Sequence, residues 1–132
     1  MRDSKTLTSA DVDKIMQAAR AEVQENDWTM SIAIVDQSGL IWRVERTEGA
    51  IPASPKIAEA KARTAALMRT PTGAIEGRAA DRLVMLGLPD LLLMQGGLPI
   101  FAADDCVGAV GVSGGLSPQD EQVARAGIDA LA

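Results

Sequence analysis

The chain has 132 residues, of which 47% are hydrophobic and 23% are charged, and its formal net charge is −5. These values are typical of a single globular domain over residues 1–132 and exclude a disordered tail. The acidic balance argues against nucleic acid and anionic membranes as partners. Histidine and tyrosine are absent and Cys106 is the only cysteine. This excludes a Ser-His-Asp triad, histidine-ligated zinc or haem, and an internal disulfide, so no metal site is predicted.

The chain begins with polar sequence, and no apolar run approaches the roughly 20 residues that a membrane span needs. We therefore expect a cytoplasmic protein with no membrane partner. Cys106 opens an apolar stretch, where a free cysteine is more often a small buried hydrophobe than a nucleophile or a haem ligand.

The first half of the chain predicts a helix followed by a β-hairpin. Thr8 is a candidate N-cap with an acidic residue three positions later, and apolar residues then follow helical spacing over residues 9–25. The run from Met30 to Val35 favours a strand, Asp36 to Gly39 is typical of a turn, and a second, alternating strand follows from Leu40. A short connection makes the two strands antiparallel.

The second half predicts helices, three strands and a last helix. Ser54 and Pro55 indicate a helix start, with Ser54 as the cap, and the helix runs to about Arg69. Residues 71–87 fit either helix or loop. The remaining predicted elements are a strand over Leu91–Gln95, a tight hairpin turn at Gly96-Gly97, a strand over Leu98–Ala102, a turn at Asp104-Asp105, a strand over Cys106–Val112 and a helix from Ser117. The fold class is therefore α+β with one antiparallel sheet.

Several blocks of the sequence resemble the GlcG/HbpS-like family, also known as the haem-degrading-domain family, to which the C-terminal domain of PduO-type proteins is related. The blocks are Ile32–Leu40, Arg46–Ala50, Lys61–Ala65, Gly96–Ile100, Val107–Gly115 and Asp120-Glu121 with Ala124. The resemblance implies a five-stranded antiparallel sheet in profilin-like order with helices on its faces. It also implies homo-oligomers, either dimers or larger rings. Because some members bind haem, haem is a possible cofactor, although a histidine ligand cannot come from this chain.

Basic residues are concentrated in the middle of the chain, where residues 56–82 carry six basic and three acidic side chains. Arg46 and Lys61 both fall in blocks shared with the family. If they converge near Thr64, the guanidinium and the ammonium would hold a carboxylate or a phosphate. The alternative is a solvated helix face together with a strand-end ion pair between Arg46 and Glu48.

Two glycine-rich segments are further candidates for ligand binding. Ser113, Gly114 and Gly115 precede a helix start, where free N–H groups and the helix dipole favour an anion. Gly96 and Gly97 form the other segment. The alternative for both is a turn that requires glycine for its backbone conformation.

These residues give three functional hypotheses, of which the last is a structural subunit whose charges only solvate the surface. The first is a small-molecule binding protein that holds an anionic organic ligand, with a tetrapyrrole as one version. The second is a cofactor-free lyase, isomerase or hydrolase acting on a small carboxylate. Because histidine is absent, the enzyme hypothesis relies on Glu48 as the acid or base and on Lys61 as an amine or base.

Overall fold

The computed structural model describes residues 1–132 and contains four strands, four α-helices and one 3-10 helix. In chain order these are α1 (Ser9–Glu25), β1 (Ser31–Asp36), β2 (Ile41–Arg46), α2 (Ser54–Met68), α3 (Thr72–Asp81), the 3-10 helix (Leu83–Gly87), β3 (Gly97–Ala102), β4 (Asp105–Ser113) and α4 (Ser117–Asp129). None of the helices has both the length and the hydropathy needed to cross a bilayer.

Local side-chain hydrogen bonds set the boundaries of the first elements, as the sequence predicts. The Thr8 hydroxyl accepts from the Asp11 N–H, and the Asp11 carboxylate accepts from the Thr8 N–H, which completes a capping box at α1. In the β1–β2 turn, Asp36 Oδ1 accepts from the N–H groups of Ser38 and Leu40 at 2.8 and 3.0 Å. The first helix and the hairpin are therefore confirmed.

The sheet has four strands, not five, and their order is β2-β1-β4-β3 with every neighbouring pair antiparallel. The predicted strand over Leu91–Gln95 is wrong, because this segment is irregular and packs over α2 and α3. The Leu92 N–H donates to the Thr64 hydroxyl at 2.8 Å, and Leu93 is buried against Ile75 and Ala79. A profilin-like strand order stays a prediction.

The predicted hairpin turn at Gly96-Gly97 is also wrong, because no strand precedes it. Gly97 is the first residue of β3, and its N–H donates to the Thr72 hydroxyl at 2.8 Å. Because β3 is an edge strand, Pro99 fits within it without removing a hydrogen bond from the centre of the sheet.

The two faces of the sheet are packed differently. Helices α1 and α4 cover one face through a large core of branched side chains that includes Ile32, Ile34 and Val110. Helix α2 covers the other face almost entirely through alanines. A Cβ atom at Gly111 would collide with the backbone of α2 at Ala58. The small residues of both elements therefore allow α2 to approach β4 closely.

Candidate functional site

One end of the sheet gathers most of the residues that the sequence singles out. Ser31, at the start of β1, pairs with Arg46 at the end of β2 and with Ser113 at the end of β4. Because neighbouring strands are about 4.8 Å apart, the backbones of Arg46 and Ser113 are about 10 Å apart. Strand β3 also starts here, at Gly97. We call this the Arg46 end of the sheet.

The start of α2 also lies at this end, but its first turn differs from the prediction. Ser54 is not the cap: Ala53 precedes the helix without a side-chain hydrogen bond, and Ser54 is the first helical residue. The Ser54 hydroxyl instead contacts the Ser31 hydroxyl at 2.8 Å and donates to the Ile51 carbonyl at 2.7 Å. This buried hydroxyl pair fixes α2 to the first residue of β1.

Arg46 lines an open cleft of about 400 Å³, which we call the Arg46 cleft. Its lining residues are Arg20, Val23, Gln24, Trp28, Glu45, Arg46, Thr47 and Glu48. Arg46 and Glu48 are both exposed. The guanidinium of Arg46 has no carboxylate within 4.0 Å in this chain, so the predicted alternative of an ion pair with Glu48 does not form.

The second guanidinium of the cleft is already paired. Arg20 donates from two nitrogens to the two carboxylate oxygens of Glu45, each at 2.7 Å. The hydrogen bonds from Arg20 hold the pKa of Glu45 below its ordinary value, and the same bonds raise the pKa of Arg20. Arg46 is therefore the cation of the cleft that stays available to an anionic ligand.

Lys61 lies in the interior, with only 1% of its side chain exposed. Its Nζ donates to the Val112 carbonyl and to Asp120 Oδ2, both at 3.0 Å, and Asp120 Oδ1 accepts from the Gly115 N–H at 3.0 Å. Burial raises the pKa of Asp120, and Lys61 and the Gly115 N–H oppose that rise. Lys61 and Asp120 therefore form a buried ion pair between α2 and α4, which lie on opposite faces of the sheet.

Two of the glycines that the sequence singles out, Gly96 and Gly115, contact this ion pair. A Cβ atom at Gly96 would lie 2.7 Å from Lys61 Nζ, and the φ of Gly96 is +133°, which favours glycine. At the start of α4, the Gly115 N–H is taken by Asp120, and the Leu116 N–H donates to Gln119 at 3.1 Å. These amides are therefore satisfied within the chain.

Thr64 forms hydrogen bonds away from both the Arg46 cleft and the buried ion pair. Its hydroxyl donates to the Ala60 carbonyl at 2.7 Å and accepts from the Leu92 N–H, and the side chain is buried. The structure thus brings Arg46 and Glu48 into one cleft, and it places Lys61 against Gly96 while the Gly115 N–H binds Asp120, the partner of Lys61. The lining of the Arg46 cleft includes none of Lys61, Thr64 or the glycines.

Sequence reasoning missed Asp120, Arg20 and Trp28 as parts of these two sites. Asp120 belongs to a block shared with the family, but its place in the first turn of a helix is one that the helix dipole alone favours, so no ion-pair partner was predicted for it. Arg20, on α1, and Trp28, in the loop after α1, lie far from Arg46 in the sequence, and only the folded chain brings them to the cleft.

Cys106 lies at the other end of β4 and is half-buried, not fully buried as its apolar neighbours suggest. Its Sγ is 3.4 Å from the Gly108 carbonyl. The thiol borders an open depression of about 300 Å³, with Arg2 and Arg69 among the lining residues.

Comparisons with known proteins connect this architecture to one family. The family model described as "Haem degrading protein HbpS-like" matches residues 7–129 of the chain. The chain belongs to the HbpS-like family. The crystal structure of HbpS has 34% sequence identity and a TM-score of 0.93, and the match covers 100% of this chain and 94% of that one.

Two further relatives support the assignment to the HbpS-like family. Protein GlcG of Escherichia coli strain K12 is 35% identical over 114 residues, which is 86% of this chain and 85% of GlcG. The crystal structure of a complex of PduOC with haem has a TM-score of 0.88 and 25% identity, and it covers 96% of this chain and 95% of that one.

Proposed function

We propose that this HbpS-like chain binds a small anionic organic ligand in the Arg46 cleft, and that a tetrapyrrole with carboxylate groups is the favoured ligand class. The observation that carries the proposal is the exposed guanidinium of Arg46, which has no carboxylate partner and lines a cleft of about 400 Å³. Pockets for small molecules have volumes of about 300–1,000 Å³. The haem complex of the neighbour PduOC supports the tetrapyrrole class.

Each side chain in the cleft has a role in such binding. Arg46 presents a planar fork of donors that matches the two oxygens of a carboxylate. Glu45 holds Arg20 in place, so the wall beside Arg46 is fixed before a ligand arrives. The half-buried ring of Trp28 offers an apolar surface for the body of a flat ligand.

The cleft fits the carboxylate groups of haem better than its iron. Its lining includes none of the histidine, methionine, cysteine or tyrosine side chains that commonly hold haem iron. Haem in this cleft would therefore be held by its carboxylates and its apolar ring.

The enzyme hypothesis has less support from the geometry. It requires Glu48 and Lys61 to act on one substrate, whereas Glu48 borders the cleft and the Lys61 ammonium is engaged by Asp120 and Val112. Binding without catalysis is therefore the function we favour.

Titration with ferric haem, followed by absorbance in the Soret region, tests the proposal. We expect saturable binding by the wild-type chain and roughly 10- to 100-fold weaker binding by Arg46→Ala, because a charge-assisted pair is lost. Arg125→Ala is the matched control, since Arg125 is an exposed arginine on α4 without an ion pair. A thermal-shift screen with small organic acids extends the same comparison beyond tetrapyrroles.

The outcomes separate the alternatives. Haem binding that is equally strong in Arg46→Ala and in the wild type would contradict the proposed site. If neither haem nor any organic acid binds the wild-type chain, the proposed function itself is wrong. If only organic acids bind, the cleft is correct and the tetrapyrrole class is not.

A further inference from the structure

An apolar cavity of about 350 Å³ lies where the large core opens to solvent, away from the Arg46 end of the sheet. It is bordered by the segment ahead of α1, by the β3–β4 hairpin and by the residues that follow α4. Six of its nine lining residues are hydrophobic, namely Leu7, Ile100, Phe101, Ala102, Val107 and Leu131. We call it the Leu7 cavity. It shares no lining residue with the Arg46 cleft, so the two are separate.

The floor of the Leu7 cavity belongs to the core of the protein. Leu7, Ile100 and Val107 are only 5%, 2% and 4% exposed and are members of the large cluster, against which Leu131 also packs. Phe101 is half-exposed. The packing of the core therefore fixes most of the apolar wall before any ligand arrives, which is typical of sites for small molecules.

Residues 1–7, which supply one wall of the cavity, are held loosely. None of their backbone groups forms a hydrogen bond with another backbone group. Two contacts hold the segment: the Leu7 side chain packs on Gly108, and the exposed Arg2 forms an ion pair with Asp105 at 2.7 Å. Because so few contacts hold it, the segment can open and close over the cavity without breaking a strand or a helix.

One charge in the lining has no counter-charge within the chain. Lys5 is exposed, and its ammonium has no carboxylate within 4.0 Å. The other charged lining residue, Asp11, accepts from the N–H and the hydroxyl of Thr8 at 2.9 and 3.0 Å, and the N-terminal end of α1 compensates its charge. The charge left for a ligand is therefore positive.

We infer that the Leu7 cavity binds a small carboxylic acid with an aliphatic chain. The chain lies among Leu7, Ile100 and Leu131, and the carboxylate lies at the Lys5 ammonium. Burial of each methylene group then contributes to affinity, because the floor is apolar. The carboxylate stays at the rim, where it remains partly hydrated and pairs with Lys5.

Isothermal titration calorimetry with octanoate tests this inference. We expect saturable binding, with a Kd that falls roughly fourfold for each methylene group added between pentanoate and octanoate. Octan-1-ol should bind about 3- to 10-fold more weakly than octanoate, because it lacks the charge that pairs with Lys5. Lys5→Gln should weaken octanoate binding by a similar factor. Lys56→Gln is the matched control, since Lys56 is an exposed lysine of α2 without an ion pair.

Filling the cavity checks its position independently of charge. Ala102 lines the cavity at the end of β3 and is partly exposed, so Ala102→Phe adds bulk there without overpacking the centre of the core. This variant should lose octanoate binding and keep the circular dichroism spectrum of the wild type. Ala80→Phe, at an exposed position of α3, adds the same ring elsewhere and should bind octanoate as the wild type does.

Four results would overturn the inference. They are the absence of saturable octanoate binding at millimolar concentration, unchanged binding by Ala102→Phe, equal affinity for octanoate and octan-1-ol, and equal affinity of Lys5→Gln and the wild type. Octanoate binding that is lost in Arg46→Ala and kept in Ala102→Phe would place the acid in the Arg46 cleft and would also overturn it. Ala102→Phe should bind haem as the wild type does, so the two proposals fail separately.

Discussion

Lys61 and Asp120 are the charged side chains that tie the two helical layers together, and they are only 1% and 2% exposed. A buried ion pair adds little when compared with an apolar pair of the same shape, because desolvation offsets the attraction. Removing one partner is different, since the other charge is then left in the interior. We therefore expect the contribution of this pair to the free energy of unfolding to appear mainly as a coupling between the two residues in a double-mutant cycle.

We expect Asp120→Asn to lower the free energy of unfolding by about 3–5 kcal/mol, because it leaves the Lys61 ammonium without a counter-charge. Lys61→Met should lower the free energy of unfolding by a similar amount, because it leaves the Asp120 carboxylate without a counter-charge. The double variant should lose less than the sum of the two, with a coupling of about 1–3 kcal/mol. Urea unfolding followed by circular dichroism measures all four proteins.

A control cycle uses Lys14→Met and Asp129→Asn, which change exposed residues that form no ion pair. That cycle should show no coupling. Additive losses at Lys61 and Asp120 would mean that the pair does not interact in the way the 3.0 Å contact indicates.

The sequence shows a positively charged side chain at Lys61, but it does not show that this side chain is buried. The neighbouring alanines mark the buried face of α2, and a lysine beside them can equally extend its amine to solvent. Only Asp120, 59 residues later in the chain, makes burial of the ammonium tolerable. The sequence therefore identified the residue without its partner.

At the level of whole elements, the close approach of α2 to β4 depends on small residues, which are the alanines of α2 and Gly111 of β4. A Cβ atom at Gly111 would overlap the backbone of α2, which cannot move without displacing its alanines from the sheet. At Gly77, inside α3, a Cβ atom would meet nothing within 4 Å. Gly111 is therefore a crowded position and Gly77 an open one, so the same substitution by alanine can be compared at both.

We expect Gly111→Ala to lower the free energy of unfolding by about 1–3 kcal/mol, as overpacking does. Gly77→Ala should raise it by about 0.5–1 kcal/mol, because alanine favours a helix. Chemical unfolding of both variants checks these signs. Equal effects would show that the close contact with α2 does not decide the outcome at Gly111, and that this helix–sheet contact is looser than described.

The sequence predicted α1, the β1–β2 hairpin, the extent of α2 and the start of α4, because the Thr8 cap, the Asp36 turn and a proline in the first turn of α2 and of α4 mark these boundaries locally. It failed for residues 91–95, whose apolar run is as typical of a strand as of a buried loop. What decides between the two is a hydrogen bond to Thr64, 28 residues earlier in the chain. No local pattern contains that information.

Across the molecule, ion pairs attach α1 to the edge strand β2. Arg20 binds Glu45 through two hydrogen bonds, and Arg43 binds Asp13. Because the pKa of Glu45 is lowered in the folded state, its contribution to stability is present above its ordinary value of 4.5 and is lost as the pH falls through the lowered value.

We expect Glu45→Gln to reduce the free energy of unfolding at neutral pH by up to about 1 kcal/mol, since both partners are partly exposed and solvent screens them. The difference from the wild type should shrink as the pH falls below 4.5. Unfolding curves recorded between neutral and acidic pH measure this trend. Glu25→Gln, an exposed carboxylate of α1 without an ion pair, should show little difference at any pH, and a gap for Glu45→Gln that stays constant would contradict the argument.

Composition, turn residues and hydrophobic spacing were enough to establish an α+β fold, most of its elements and the absence of histidine chemistry, because these depend on residues that are close in the chain. The number of strands, the pairing of Lys61 with Asp120 and the separation of Arg46 from Lys61 depend on contacts between residues far apart in sequence. Those contacts form only when the helices pack on the sheet, so the tertiary structure alone decided which charges are buried together and which one remains open to a ligand.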